Sequence, residues 1–119
     1  MTIKEKVEIL FEKLKKVNHD RVKDGIVDEN QYLSSKYKIL YVMKEVNGGE
    51  EWDLRKFLYE GGRWQTWDNV ARWTQGILNL DKEYSWEELL KDNEKRRETY
   101  LKKIGSINLK KNRRRPHIG

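Results

Sequence analysis

The sequence predicts a helix-rich α/β fold in which a short parallel sheet of about two strands, residues 37–43 and 103–109, is flanked by four to five helices. Three observations predict it. Two runs, YKILYVM and KIGSINL, are rich in β-branched and apolar residues. The chain between them carries apolar residues at helical spacing. Thr2 with Glu5, and Ser85 with Glu88, have the spacing of capping boxes that start helices.

From the N-terminus, Ile3, Val7, Leu10, Phe11, Leu14 and Val17 recur on one helical face, so an amphipathic helix ending near Asn18 is expected. A polar stretch follows, with a turn at Asp24-Gly25 and a short helix around Asp28–Leu33. Residues 37–43 read as a strand buried on both faces, because the apolar residues run together instead of alternating. Lys44–Glu51 is a loop whose Gly48 and Gly49 permit close backbone approach. A short helix is expected from near Asp53 to Gly61-Gly62. Thr66 is the expected cap of the next, with Val70, Trp73 and Ile77 inward and Asn79-Leu80-Asp81 closing it. One further helix runs from Ser85 to Leu101, carrying Trp86, Leu89, Leu90 and Tyr100. Trp67, Trp73 and Trp86 are expected in the core.

Two strands joined through helices imply a right-handed crossover and parallel pairing. Two parallel strands make a small sheet, so a second copy of the chain (a homodimer) or a partner protein is expected to complete it.

Composition narrows the chemistry. At 119 residues the chain is the size of one domain, expected over 1–109 with a basic tail at 110–119. Charged residues reach 39%, yet five Trp, six Tyr and two Phe supply enough large rings for an aromatic-rich core. Without cysteine, disulfides, thiolate metal sites and cysteine nucleophiles are excluded. Neither His19 nor His117 has neighbours at metal-ligand spacing, so no metal and no other cofactor is expected. The N-terminal residues lack the apolar core of a signal peptide and no run is long enough to span a bilayer; a cytoplasmic protein without a membrane partner is expected. The net charge of +6 is local: seven bases and no acid occupy residues 102–119, whereas the rest of the chain sums to −1. Such a segment suits an anionic partner, nucleic acid first, though a solubilising tail has the same composition.

Ligands of open α/β sheets bind beyond the carboxyl ends of the strands. The first loop offers there the carboxylate of Glu45, the carboxamide of Asn47 and the amides of Gly48 and Gly49, with Trp52 and Trp64 near enough in sequence to stack on a flat ligand. The second offers Asn108, able to donate and accept in one plane, and then Lys110, Lys111, Arg113, Arg114 and Arg115. Each has a plainer reading: a solvated acid at Glu45, a common turn at Asn47-Gly48, a cap of the strand end at Asn108.

Taken together, YKILYVMKEVNGGEEWDLRKFL, TWDNVARWTQGIL and KKIGSINLKKNRRRP resemble the first part of a uracil-DNA glycosylase superfamily domain. The resemblance covers about residues 36–116. Met43-Lys44-Glu45-Val46-Asn47-Gly48 is similar to the water-activating loop of that superfamily's iron–sulfur-containing branch, without its leading Gly and its Pro, and the cysteines of that branch are absent. Asn108, Lys111, Arg113 and Pro116 echo the end of its second strand. The resemblance implies a partial glycosylase fold and base flipping, with Glu45 and Asn47 in the catalytic loop, Trp52 stacking on the base and Asn108 on its edge. Gly48, Gly49 and the basic tail would hold phosphates of DNA. The family's remaining strands and His-containing loop would lie beyond residue 119, so the chain is expected to act as a nucleic-acid-binding or interaction module, weak or inactive as a catalyst alone. Two alternatives stay open: a DNA glycosylase excising uracil or a related damaged base, and an adaptor or inhibitor gripping an acidic protein.

Overall fold

The computed structural model describes residues 2–15, 23–44 and 53–109. In chain order it contains α1 (Ile3–Lys15), β1 (Gly25–Ile26), α2 (Glu29–Ser34), β2 (Leu40–Met43), α3 (Leu54–Tyr59), α4 (Gln65–Leu78), α5 (Trp86–Leu90), α6 (Asn93–Tyr100), a 3-10 turn at Leu101–Lys103 and β3 (Gly105–Asn108). Among the described residues the fold is α/β and helix-rich, as expected, with six α-helices against the expected four to five and a three-stranded mixed sheet against the expected two parallel strands.

The sheet order is β1-β3-β2. The parallel pair is present: Leu40 lies opposite Gly105 and Met43 opposite Asn108. Both strands are shorter than their apolar runs. The third strand was hidden in the expected turn at Asp24-Gly25. Gly25 has φ +125, which lets the chain swing so that Gly25 and Ile26 pair antiparallel with Ser106 and Gly105. The Val27 N–H donates to the Ile104 carbonyl at 3.1 Å, which extends that pairing by one bond. Two residues have no periodicity to read; only their partner makes them a strand.

The expectation that β2 is buried on both faces is corrected. Ile39, Tyr41 and Met43 pack against the helical core, whereas Leu40 and Val42 are 49% and 55% exposed. The strand therefore alternates after all, with apolar side chains on its open side as well, and an unbroken apolar run conceals that.

The core joins Leu54 and Leu58 of α3, Trp67, Val70 and Ala71 of α4, and Leu101 and Ile104 before β3. Burying each of the leucine, isoleucine and valine side chains among these stabilises the fold by about 1.5–3 kcal/mol. Helix α4 begins at Gln65 with Trp64 in the cap position, two residues earlier than the cap expected at Thr66. Its buried stripe is Trp67, Val70, Ala71 and Thr74. Trp73 is instead 58% exposed and Ile77 38% exposed, and Trp86 is 66% exposed, so two of the three tryptophans expected in the core lie outside it. Helix α4 carries two neighbouring apolar stripes, and spacing alone does not say which one faces the sheet. Register with β2 decides it: the Tyr41 hydroxyl lies 2.8 Å from the Thr74 hydroxyl, which itself donates to the Val70 carbonyl at 2.7 Å.

Apart from Thr66, the start signals work as expected. The Thr2 hydroxyl accepts from the Glu5 N–H at 3.1 Å, and Ser85 and Glu88 form a complete capping box. Asp28 and Asp53 cap α2 and α3. Gly61 and Gly62, with φ +117 and +51, end α3. The single helix expected over 85–101 is broken at Asp92, whose left-handed φ of 57 separates α5 from α6. Arg96 holds the break together: it donates to Gln75 Oε1 at 2.6 Å, Asn93 Oδ1 at 3.0 Å and the Glu88 carbonyl at 2.9 Å.

Candidate binding edge at the carboxyl ends of the parallel strands

The register of the parallel pair fixes where a site can form. Met43 and Asn108, the last residues of β2 and β3, are partners, and the Leu109 N–H donates to the Met43 carbonyl at 2.8 Å. Lys44 and Leu109 thus leave the sheet side by side. The chain that departs at Lys44 is described again at Asp53, which is bridged to Lys23; the Leu54 N–H donates to the Lys23 carbonyl at 2.8 Å. Glu45, Asn47, Gly48, Gly49 and Trp52 lie outside the described residues, as do Lys110, Lys111, Arg113, Arg114 and Arg115.

Asn108 is described. It is 3% exposed, and its backbone N–H donates to Asp24 Oδ2 at 2.8 Å. Asp24, 5% exposed, is the residue that sequence reasoning missed: it reads as half of a turn dipeptide, and its partner lies 84 positions away. No local signal marks such a carboxylate. Its effect is to satisfy a backbone donor that the end of the β3 ladder would leave unpaired in the interior, and so to fix the strand end that presents Asn108. Two positions back, Ser106 is fully buried, and its Oγ has no hydrogen-bond partner among the described residues.

Beside Asp24 lies a charged cluster. The Arg55 Nε and NH2 groups donate to the two carboxylate oxygens of Asp53 at 3.0 and 2.8 Å, and NH2 also reaches Glu8 Oε1 at 2.7 Å. Lys23 pairs with Glu8 at 3.5 Å. The guanidinium sits 5.0 Å from the ring centre of buried Phe11, which ties α1 to the body. Burial works to raise the carboxyl pKa values of Glu8 and Asp53, but the hydrogen bonds and charge of Arg55 outweigh it and hold both below the usual carboxylate range. A cavity of ≈ 510 Å³ opens between α1, α2 and α3, lined among others by Ile3, Val7, Ile26, Arg55 and Tyr59. Its four carboxylates are engaged: Glu8 and Asp53 with Arg55, Asp28 as a helix cap, and Glu29 accepting the Ile3 N–H at 2.8 Å.

Four described arginines serve the fold. Besides Arg55 and Arg96, Arg72 donates to the Leu89 carbonyl and Asn93, and Arg97 to the Gly61 carbonyl and Asp68. Ring positions are similarly committed: Trp64, 45% exposed, has its ring centre 4.5 Å from that of Phe57. Among the described residues no group of three or more His, Asp or Glu is placed to hold a metal, and no helix is long and apolar enough to cross a membrane. Compared with protein families, curated proteins and solved structures, the chain finds no match in any of the three.

Proposed function

We propose that the chain is a nucleic-acid-binding module that holds a single-stranded or flipped-out nucleotide at the edge where β2 and β3 end. The observation that carries this reading is the side-by-side departure of Lys44 and Leu109. Segments 45–52 and 110–115, remote in sequence, begin from neighbouring positions, one with carboxylate, carboxamide and glycines, the other with five bases. Asn108 is only 3% exposed, so its carboxamide would read the base edge after local opening at the end of β3, and the tail would neutralise phosphates. The resemblance to uracil-DNA glycosylases favours uracil as the base and DNA as the nucleic acid, and makes excision of uracil the activity to assay; absent or slow excision is expected from this chain alone.

The test is fluorescence anisotropy with a labelled 20-nucleotide single strand carrying one uracil, against its thymine counterpart. If the five bases at 110–115 each neutralise one phosphate, log K falls with log salt at a slope of about −3.5, or about 100-fold between 50 and 200 mM salt. Replacing these five bases with glutamine should flatten the slope. Asn108→Ala should erase any preference for the uracil strand and leave the slope unchanged. Affinity that does not change with salt, or no binding at 50 mM, overturns the proposal.

A further inference from the structure

The outer edge of β2, which has no strand partner among the described residues, is a second surface; it meets the nucleotide edge at Lys44, but nothing about it rests on the nucleotide reading. In the parallel ladder the carbonyls of Ile39 and Met43 accept from Gly105 and Leu109. By alternation the backbone N–H and C=O groups of Leu40 and Val42 face away from β3, along the outer edge of the sheet. Side chains on both sides of that edge are apolar and solvated. Leu40 and Val42 lie on one face, and Trp73, whose ring is stacked 6.4 Å from that of Tyr41, lies on the other with Ile77 one turn further along α4. Tyr37, 41% exposed, precedes the strand. A strand edge flanked by apolar surface on both faces is a template for strand addition.

Area and charge select the occupant. Tyr37, Leu40, Val42, Trp73 and Ile77 expose on the order of 500 Å² of side-chain surface, so an interface built on them totals about 1,000 Å². That falls short of the 1,200–2,000 Å² typical of stable pairs and suits a transient peptide contact. Segment 35–44 holds Lys36, Lys38 and Lys44 and no acid. In a two-fold pairing of β2 with a second β2 centred on Tyr41, Lys38 of each copy would face Lys44 of the other, a like-charge opposition that disfavours it. We infer that β2 receives an extended peptide segment of another protein, apolar at its centre and acidic at both ends, which pairs with the outward backbone of Leu40 and Val42 and covers Trp73.

The probe is a synthetic peptide of alternating valine and threonine flanked by two glutamates at each end, titrated into the 15N-labelled chain. Expected are saturable shifts at residues 36–44 and at the Trp73 indole, with a dissociation constant below about 1 mM. The same peptide with lysine flanks should bind at least tenfold more weakly. Val42→Pro removes only an outward N–H, so it should abolish binding and keep the circular dichroism of the wild type. Should that variant not fold, Leu40→Gln/Val42→Gln, uncharged changes at two exposed positions, tests the same surface. Equal affinity for both peptides, binding unaffected by these variants, no saturation by 2 mM peptide, or a dimer in sedimentation that either variant dissolves, would each overturn the inference.

Discussion

Replacing glycine by alanine at three positions should give three different results, because each glycine is held for a different reason. At Gly62 the backbone has φ +51, and a Cβ would sit 2.6 Å from Leu101 Cδ1 and 3.1 Å from Leu58 Cδ2. Left-handed backbone costs alanine about 1–2 kcal/mol. Both leucines are fully buried, so neither can swing away and overpacking adds about 1–3 kcal/mol. Gly62→Ala should therefore destabilise by about 2–5 kcal/mol, a fall in melting temperature of roughly 10 °C or more for a chain of this length. Gly61, φ +117, has open space where its Cβ would be, so Gly61→Ala should lose only the conformational part. Gly76 lies inside α4 with nothing within 4 Å of the added methyl, and Gly76→Ala should stabilise by about 0.5–1 kcal/mol through helix propensity. Urea melts followed by circular dichroism, with equal m-values required, measure all three. If Gly62→Ala were as stable as wild type, or less damaging than Gly61→Ala, the packing of Leu58 and Leu101 against the end of α3 would be wrong.

Two further outcomes follow from the polar interior. Asp24→Ala should cost about 1–3 kcal/mol by leaving the buried Asn108 N–H without an acceptor, and should speed hydrogen exchange at that amide; Asp24→Asn, which keeps a carbonyl oxygen, should restore most of both. Glu8 and Asp53 titrate below the usual range in the fold, so their contribution is fully present above the unfolded carboxylate pKa of about 4 and is lost as pH falls through the lower folded values. Melting temperature measured from pH 7 down to pH 2 should drop below about pH 4, and Arg55→Met, already destabilised at pH 7, should drop less; an equal drop in both would remove Arg55 as the cause.

How far the fold is legible in the sequence depends on whether its causes are local. Thr2, Asp53 and the Ser85–Glu88 pair announce their helices because a cap and its partner stand three residues apart or fewer. The parallel pairing is legible too, since helices between two apolar runs leave few other topologies. What escapes is whatever a distant partner decides: strand β1, defined only by Ser106 and Gly105; the inward stripe of α4, chosen by Tyr41; and the burial of Asp24 beneath Asn108. The break at Asp92 escapes for another reason. Asp92-Asn93 is only a faint mark of left-handed backbone, since Asp and Asn adopt it more readily than other side chains yet mostly do not, and the network of Arg96 that accompanies it spans three elements. For the candidate edge, the shared end of the two strands was legible from topology, and Asn108 from its place at a strand end. Its acidic support was not.

The strand order also constrains how the chain comes to be folded as it is synthesised. Among the described strands, β1 and β2 each pair within the sheet only with β3. Neither has a sheet partner until residues 105–108 leave the ribosome, some 80 residues after Gly25. Closing such long loops is slow compared with forming a helical turn, so the helices can form and fray many times before β1 and β2 find their partner. Leu40 and Val42, still open once the sheet has closed, are then flanked by a second bare edge. A holdase has most to grip in that interval.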